Sequence, residues 1–279
     1  MRIVFALWKR NFRNFLRNRA QLILLILIPL FFVYILNRVF KIEGIEDFVN
    51  PVSYMMAGIV IVQVFETAFR MASSTIDDIV SGYMKEILVS PVKRIQVALG
   101  QILSAGTVAT LQGIFILIIG FFFGVQYTSI LTPLYVIAFM TLIGFVFAGF
   151  GLFIATLIKN TQTFQIATMA VDLPFTFLCG AYLPLTLLPY EVKIIAYFNP
   201  MTYATAGFRS ILLEKWSADP ELLINAQLAF KINDFTITPL ISLLIVSAFG
   251  VLFLLLSAFV FSRVDFSRIN RTKSADIFA

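Results

Sequence analysis

At 279 residues, with 60% hydrophobic and only 13% charged side chains and a mean hydropathy of +0.94, the chain is too apolar for a soluble globular protein, whose apolar share is about 45–50%. Its net charge of +6 comes from an uneven distribution of Lys and Arg along the chain, which marks membrane topology and leaves no basic face for nucleic acid. A single cysteine, Cys179, excludes an intrachain disulfide, and the absence of histidine argues against an ordinary zinc or haem site.

In chain order, the first 19 residues predict an amphipathic helix. At 100° per residue, Val4, Phe5, Trp8, Phe12, Phe15 and Leu16 fall in one arc of about 120°, while Arg2, Lys9, Arg10, Arg13 and Arg17 occupy the neighbouring arc. Such a helix lies in the headgroup plane of the bilayer, with Phe5, Trp8, Phe12 and Phe15 toward the acyl chains and the basic residues toward anionic lipid. It serves as a topology anchor, a mechanical element, or both. Residues 20–40 form the first of six candidate spans, since about 20 apolar residues cross the hydrocarbon. Its apolar core is too long for a signal peptide and no small-residue cleavage site follows, so it reads as a retained span. The second span, 52–72, carries Glu66 and Arg70 at i, i+4 near one end, a spacing that suits an ion pair.

A charged, proline-marked run follows, from Asp77 to Arg94. Charged turns between spans cannot lie in hydrocarbon, so this run belongs at a water face. Asp77 and Asp78 suit the start of a helix. Gly82 permits a bend or the close approach of another backbone, Pro91 stops the helix, and Lys93 and Arg94 anchor the next span. A bare topology loop would not need the acidic residues; a compact charged helix suits a soluble partner that pushes or grips it.

The third and fourth spans are 98–124 and 133–158. The fourth carries a small-residue stripe, Gly144, Ala148, Gly151 and Ala155, for close helix packing within the chain or between subunits; Gly120 and Gly124 make a weaker pair in the third. The fifth span, 163–181, holds Asp172 near mid-depth, where a carboxylate needs a partner, water or a proton. It could line a substrate path or pair structurally. Pro184 and Pro189 then break any continuous helix. The mixed segment to Pro200 predicts a helical hairpin dipping into the outer leaflet, with Gly180 and Asn199 at its turns, followed by an external loop from Arg209 to Asp234. The sixth span is 237–262, and 263–279 is a tail. The whole chain, 1–279, is therefore expected to be one all-α membrane domain: interfacial segment 1–19, five spans within 20–181, hairpin and loop over 182–236, and the last span and tail. Of the 21 basic residues, 15 fall on the side shared by both termini, which the positive-inside rule makes cytoplasmic.

Two motifs carry a family resemblance. The run Asp78-Ile-Val-Ser-Gly82-Tyr-Met-Lys85-Glu86-Ile-Leu88-Val-Ser-Pro91-Val-Lys-Arg94 is similar to the D/E-x-x-x-G-x-x-[KR/E]-x-L-x-x-x-P-[VS]-x-R run of ABC-2 type ABC transporter permeases. The second, Cys179-Gly180-Ala181-Tyr182-Leu183-Pro184 with Leu188-Pro189, Phe198-Asn199-Pro200-Met201-Thr202-Tyr203 and Arg209, resembles the family's S-G-x-x-x-P … L-P … N-P-x-T/L-Y … R signature, with Cys179 replacing the common serine. The resemblance covers nearly the whole chain. It implies an exporter permease of a bacterial or archaeal plasma membrane that works as a dimer, with itself or a paralogous permease. Each subunit would be gripped by a separate ABC ATPase at a coupling helix over residues 77–91. ATP and magnesium would bind to that partner, in keeping with the absence of both G-x-x-x-x-G-K-[ST] and G-x-G-x-x-G from this chain. The drug and antibiotic exporter branch, daunorubicin-type permeases, is the nearer likeness, with polysaccharide or teichoic-acid export as the alternative. Asp172 and Cys179 are candidates for the substrate path. A rival of another class, an ion-coupled secondary transporter using Asp172 and Glu66, would show matching broken helices in both halves, and only the region of Pro184 is broken. A membrane scaffold would not need the hairpin.

Overall fold

A computed structural model describes residues 2–20, 50–83, 92–125, 129–158, 160–182, 185–226, 228–232 and 235–263, together with 22–24, 27, 30, 31 and 34. The elements are α1 (Arg2–Arg17), α2 (Pro51–Arg70), α3 (Ser73–Val80), α4 (Arg94–Phe122), α5 (Thr132–Leu157), α6 (Thr161–Phe177), α7 (Tyr190–Phe198), α8 (Pro200–Leu212), α9 (Pro220–Asn225), β1 (Phe230–Ile232), β2 (Phe235–Ile237) and α10 (Pro239–Arg263). Four helical stretches among the described residues are long and apolar enough to cross a membrane: Val52–Asp78, Arg94–Phe122, Thr132–Leu157 and Pro239–Arg263. They match the second, third, fourth and sixth spans expected from sequence. Most of the first candidate span lies outside the described residues, and α6 is a 17-residue helix with Pro174 inside it.

The helices begin where local chemistry dictates. Asn50 accepts from the backbone N–H groups of Val52 and Ser53 at 2.9 and 3.2 Å ahead of Pro51. Asn160 caps α6, Asn199 caps α8 and Asp219 caps α9 in the same way. In each case a side-chain oxygen meets an N–H that has no intrahelical partner. Where α4 and α10 meet, Arg94 in the first turn of α4 donates to the Ser262 carbonyl at 3.0 Å, satisfying a free acceptor at the C-terminal end of α10.

α5 is the hub, packed against α2, α4 and α10. Lipid supplies little hydrophobic force between helices, so close packing must hold them. The small-residue stripe provides it within the chain. A Cβ on Gly144 would sit 3.0 Å from the Gly106 carbonyl oxygen of α4, and one on Gly151 would sit 2.7 Å from the Phe69 carbonyl oxygen of α2. Aromatic rings fill the space beyond the stripe: Phe65 meets Phe147 edge-on at 4.7 Å, Phe150 meets Phe253 at 4.6 Å, and Phe175 stacks on Phe150 at 5.8 Å. Edge-on and offset ring pairs each add about 0.5–1.5 kcal/mol beyond burial. Phenylalanine is thus used for the protein's own core here, not only as lipid-facing filler.

The structure departs from several of the expectations. Gly124 is not part of a helix-packing pair, since it ends α4 at φ +103 with open space around it. Asp77 and Asp78 lie in the second half of α3 and not at a helix start; α3 begins at Ser73, directly after the turn at Met71 and Ala72. Gly82, at φ +82 with nothing near a would-be Cβ, makes the bend that a glycine there permits, and residues 84–91 of the expected coupling helix lie outside the described residues. Arg209 is not in an external loop but in α8, 3% exposed. The segment after α8 contains α9 and a two-stranded antiparallel hairpin pairing Phe230 with Ile237, a small departure from an all-α chain. Glu214, at φ +57, turns the chain out of α8, and its carboxylate accepts from the Ser129 N–H at 2.9 Å and from the Thr132 hydroxyl at the start of α5.

Gly58 is where α2 passes closest to the chain following α6. A Cβ there would lie 2.7 Å from the Ala181 carbonyl oxygen and 2.9 Å from Arg209 Nη2. Gly58→Ala is expected to destabilise the fold by about 1–3 kcal/mol, the usual range for overpacking a tight contact. Thermal unfolding in detergent measures it, and a midpoint unchanged from wild type would mean that this contact has slack.

Candidate functional site

Two polar sites lie at opposite ends of α2, whose 20 residues span about 30 Å at 1.5 Å per residue. The first is built by α1, α3 and α4. α1 packs Leu7 and Asn11 on α4, where Gly100 lets Leu7 approach. This turns Arg10 inward. Its guanidinium pairs with the Asp78 carboxylate of α3 and lies 4.4 Å from the centre of the Tyr83 ring. Gln101 of α4 donates to the same Asp78 oxygen at 3.1 Å, and Asn11 donates to Gln101 at 2.6 Å. One carboxylate therefore ties the N-terminal helix, the helix before the charged run and the first turns of α4. The Arg10 and Asp78 side chains are 27% and 15% exposed, so water screens the pair less than a surface bridge.

Of the four hydrophobic anchors expected in α1, Phe5 is exposed and stacks on Trp8 at 5.2 Å, and Trp8 stacks on Phe12 at 5.4 Å. The Trp8 indole N–H donates to Thr107 at 3.2 Å, and Phe15 is only 7% exposed. The Trp8 contact therefore holds α1 to α4. The broad apolar arc serves two surfaces, with Phe5 and Leu16 on the outward side.

Further along α2, Arg70 is shared by two carboxylates, Glu66 at 3.3 Å and Asp172 of α6 at 3.1 Å. Gln63 donates to Glu66 at 3.5 Å and accepts from Gln112 at 3.2 Å, and Thr67 donates to Gln112. The second Asp172 oxygen, Oδ1, is buried without a hydrogen-bond partner. These groups border an open cavity of 770 Å³ whose wall includes Arg10, Asp77, Asp78, Glu66, Arg70 and Gln112. Asp172 does not line it and reaches it only through Arg70. Cys179 is not part of it either: its thiol donates to the Thr176 carbonyl at 3.1 Å and faces a separate cavity, so the structure does not bring these two candidates together. Sequence reasoning missed Gln63, Gln101 and Gln112. The available signal was polar residues inside apolar spans, with Gln101 and Gln112 eleven residues apart and hence on one helical face.

The second site, at the other end of α2, is organised by Arg209. Its guanidinium donates to the Tyr54 carbonyl at 3.3 Å, the Tyr54 hydroxyl at 3.0 Å, and the Gly180 and Ala181 carbonyls, both at 2.8 Å. It also lies 3.9 Å from the centre of the Tyr54 ring. Gly180, at φ +79, turns the chain so that both carbonyls face the guanidinium. Asn199 works beside it. Its amide donates to the carbonyls of Pro174 and Phe175 at 3.3 and 3.0 Å, while its oxygen caps α8 behind Pro200. Thr202 donates to the Ala196 carbonyl at 2.6 Å and Tyr203 to the Tyr197 carbonyl at 2.7 Å. The Asn-Pro-Met-Thr-Tyr…Arg signature thus satisfies backbone acceptors at broken helix ends, a requirement that hydrocarbon makes strict. Pro189 stands at the N-cap of α7. Lys85, Glu86, Leu88, Pro91 and Pro184 lie outside the described residues. Gly82 and Arg94 flank the undescribed part of the charged run.

Residues 2–213 match the family model of the ABC-2 type transporter. A putative transport permease, ycf38, of Cyanophora paradoxa is 25% identical over 215 residues, covering 74% of this chain and 72% of that protein. The inner membrane transport permease YadH of Escherichia coli strain K12 is 24% identical over 207 residues, 73% of this chain and 80% of that one. The probable multidrug ABC transporter permease YbhR of the same organism is 28% identical over 139 residues, 50% of this chain but only 37% of its own length.

Proposed function

The chain belongs to the ABC-2 type transporter family, and on that premise we propose that it is the membrane permease of an ATP-driven exporter for an amphipathic cargo. The family implies a partnership with an ABC ATPase. In this reading the ATPase grips the charged run through Lys85, Glu86, Leu88 and Pro91. The chain works as a dimer in a bacterial or archaeal plasma membrane with both termini cytoplasmic, and α1 lies along the inner headgroup plane. The hairpin of α7 and α8 faces the outer leaflet.

One observation carries the reading. Asp77 and Asp78 stand in the wall of the polar cavity and only a few residues before the bend at Gly82, where the charged run begins. A displacement of that run by a partner is therefore transmitted directly to the cavity wall and, through Arg10, to α1. An amphipathic drug or lipid-like molecule suits a cavity that combines carboxylates, amides and the apolar side chains of Phe15, Leu24 and Met71.

The test is co-reconstitution of the full chain with its ATPase in vesicles, reading ATP-dependent movement of a cationic and a neutral amphipathic dye. Both should move. Asp172→Asn is expected to lower transport of the cationic dye several-fold more than that of the neutral one, because it weakens the carboxylate field beside Arg70 in a low-dielectric setting. An equal loss for both dyes together with lower thermal stability would make Asp172 structural only. If neither dye moves although the ATPase binds and hydrolyses ATP, the amphipathic-cargo reading fails.

A further inference from the structure

We propose that the hairpin end carries a binding site for an anionic phospholipid, with the phosphate in a small cationic cavity and the acyl chain in an adjoining aromatic groove. The inference goes beyond the transport reading and involves none of the residues of the cavity beside α1.

The cationic cavity has a volume of 140 Å³ and lies between α6, α7, α8 and β1. Lys193, Lys231 and Arg209 line it, and among the described residues no acidic side chain does. Arg209 is 3% exposed and among the described residues makes no ion pair; its partners are three carbonyls and one hydroxyl. Those dipoles satisfy four of the five guanidinium N–H groups without cancelling the charge. Such a buried cation favours an anion beside it when further donors also hold that anion and offset its desolvation. A second feature points to a ligand: Thr205 lines the same cavity, is 1% exposed, and its hydroxyl has only the weakly bonding Cys179 thiol beside it, with no oxygen or nitrogen partner. A buried hydroxyl so poorly satisfied carries a desolvation cost that an incoming acceptor removes. Two ammonium groups, a guanidinium charge and a hydroxyl donor match the several acceptor oxygens of a phosphate.

The groove beside it says what the phosphate is attached to. Its volume is 570 Å³, and it shares the side chains of Tyr197 and Lys231 with the cationic cavity, so the two lie next to each other. Its other walls are Tyr190, Ile194, Phe198 and Tyr203, with Ile232 at the edge. Tyr190 and Phe198 are 73% and 85% exposed, which leaves a large apolar surface on α7 for a bilayer chain to cover. Tyrosine is enriched at the headgroup level, where its ring meets apolar chains and its hydroxyl meets water. A cation-lined pocket beside an aromatic groove fits a lipid with a net negative head better than it fits a zwitterion or a free ion.

The experiment titrates the purified full chain in detergent with dioctanoyl phosphatidylglycerol, dioctanoyl phosphatidylcholine or inorganic phosphate and follows thermal unfolding. Phosphatidylglycerol is expected to raise the unfolding temperature at concentrations about tenfold below phosphatidylcholine. The Lys193→Gln/Lys231→Gln pair should abolish that preference, Lys193→Arg/Lys231→Arg should keep it, and Thr205→Val should weaken it several-fold. Inorganic phosphate alone should have little effect; if it matches phosphatidylglycerol, the anion pocket stands and the lipid assignment is overturned. Equal responses to the two lipids in wild type, or a preference undiminished in the glutamine pair, overturn the whole proposal. If the glutamine pair lowers the ligand-free unfolding temperature, salt gives the same information on wild type: a preference unchanged at about 1 M salt, where charge contacts are screened within about 3 Å, is equally fatal.

Discussion

Replacing Arg209 by glutamine is expected to destabilise the folded chain by about 3–5 kcal/mol, the loss of several hydrogen bonds from a charged donor less what glutamine can remake. The side chain makes four hydrogen bonds to groups from two distant segments, the start of α2 and the turn after α6. Glutamine is shorter and offers two donors against five, so it cannot reach Tyr54, Gly180 and Ala181 together. Hydrogen bonds from a charged donor are each worth about 1.5–3 kcal/mol, and carbonyls left without a donor inside a membrane protein find no water to replace it. Lysine should rescue little, because a point charge cannot reproduce the planar fork that spans these acceptors. Denaturant- or heat-induced unfolding in detergent, followed by circular dichroism, measures the loss, and proteolysis should open first in the segment from Gly180 to Asn199. A variant that unfolds at the wild-type midpoint would show that Arg209 is dispensable and that the Asn199 cap alone holds this end.

Reversing either charge of the Arg10–Asp78 pair is expected to lower ATP-driven transport about tenfold, and reversing both should restore most of it. Arg10→Glu and Asp78→Lys each place like charges together in a site where both side chains are mostly covered. Coupling energies between directly interacting residues run at about 0.5–3 kcal/mol, and about 1.4 kcal/mol corresponds to tenfold. Restoration in the double variant should be incomplete for a stated reason: Gln101 also donates to Asp78 and cannot do the same for an ammonium group, although its carbonyl can turn to accept. Membrane insertion should be unaffected, since Asp78 is the last residue of its span and Arg10 is one of six basic residues in the N-terminal segment. Single variants with full transport would remove the pair from the coupling path between the charged run and α1. Failure of the double variant alone, with both singles impaired, would assign the effect to Gln101 and Asn11 instead of the bridge.

Much of the architecture was legible locally. Apolar runs placed α2, α4, α5 and α10 to within a few residues, because span length is set by the bilayer and written in consecutive side chains. Glu66 and Arg70 were paired from spacing alone, and the helix supplies that geometry. The stripe of Gly144 and Gly151 was visible as a packing surface, but not which helices would use it. The amphipathic arc of α1 was also visible, but not that the Trp8 indole would bond Thr107 of α4 or that Phe15 would be buried within the protein. An apolar arc on a helix says only which face avoids water; it does not choose between two apolar surroundings, here lipid and another helix.

Residue order alone was enough to mark a membrane chain, to locate its long spans and to pick out the two motifs shared with ABC-2 permeases. What those motif residues touch emerged only when the helices were packed together. Arg10 meets Asp78 across 68 residues, Arg70 meets Asp172 across 102, and Arg209 meets Tyr54 across 155. Hydropathy and helical period are properties of neighbours along the chain, whereas the partner of a buried charge is whichever group close packing brings within about 3 Å of it. In a membrane interior such a charge must find that partner among the protein's own groups, and composition cannot say which one it will be.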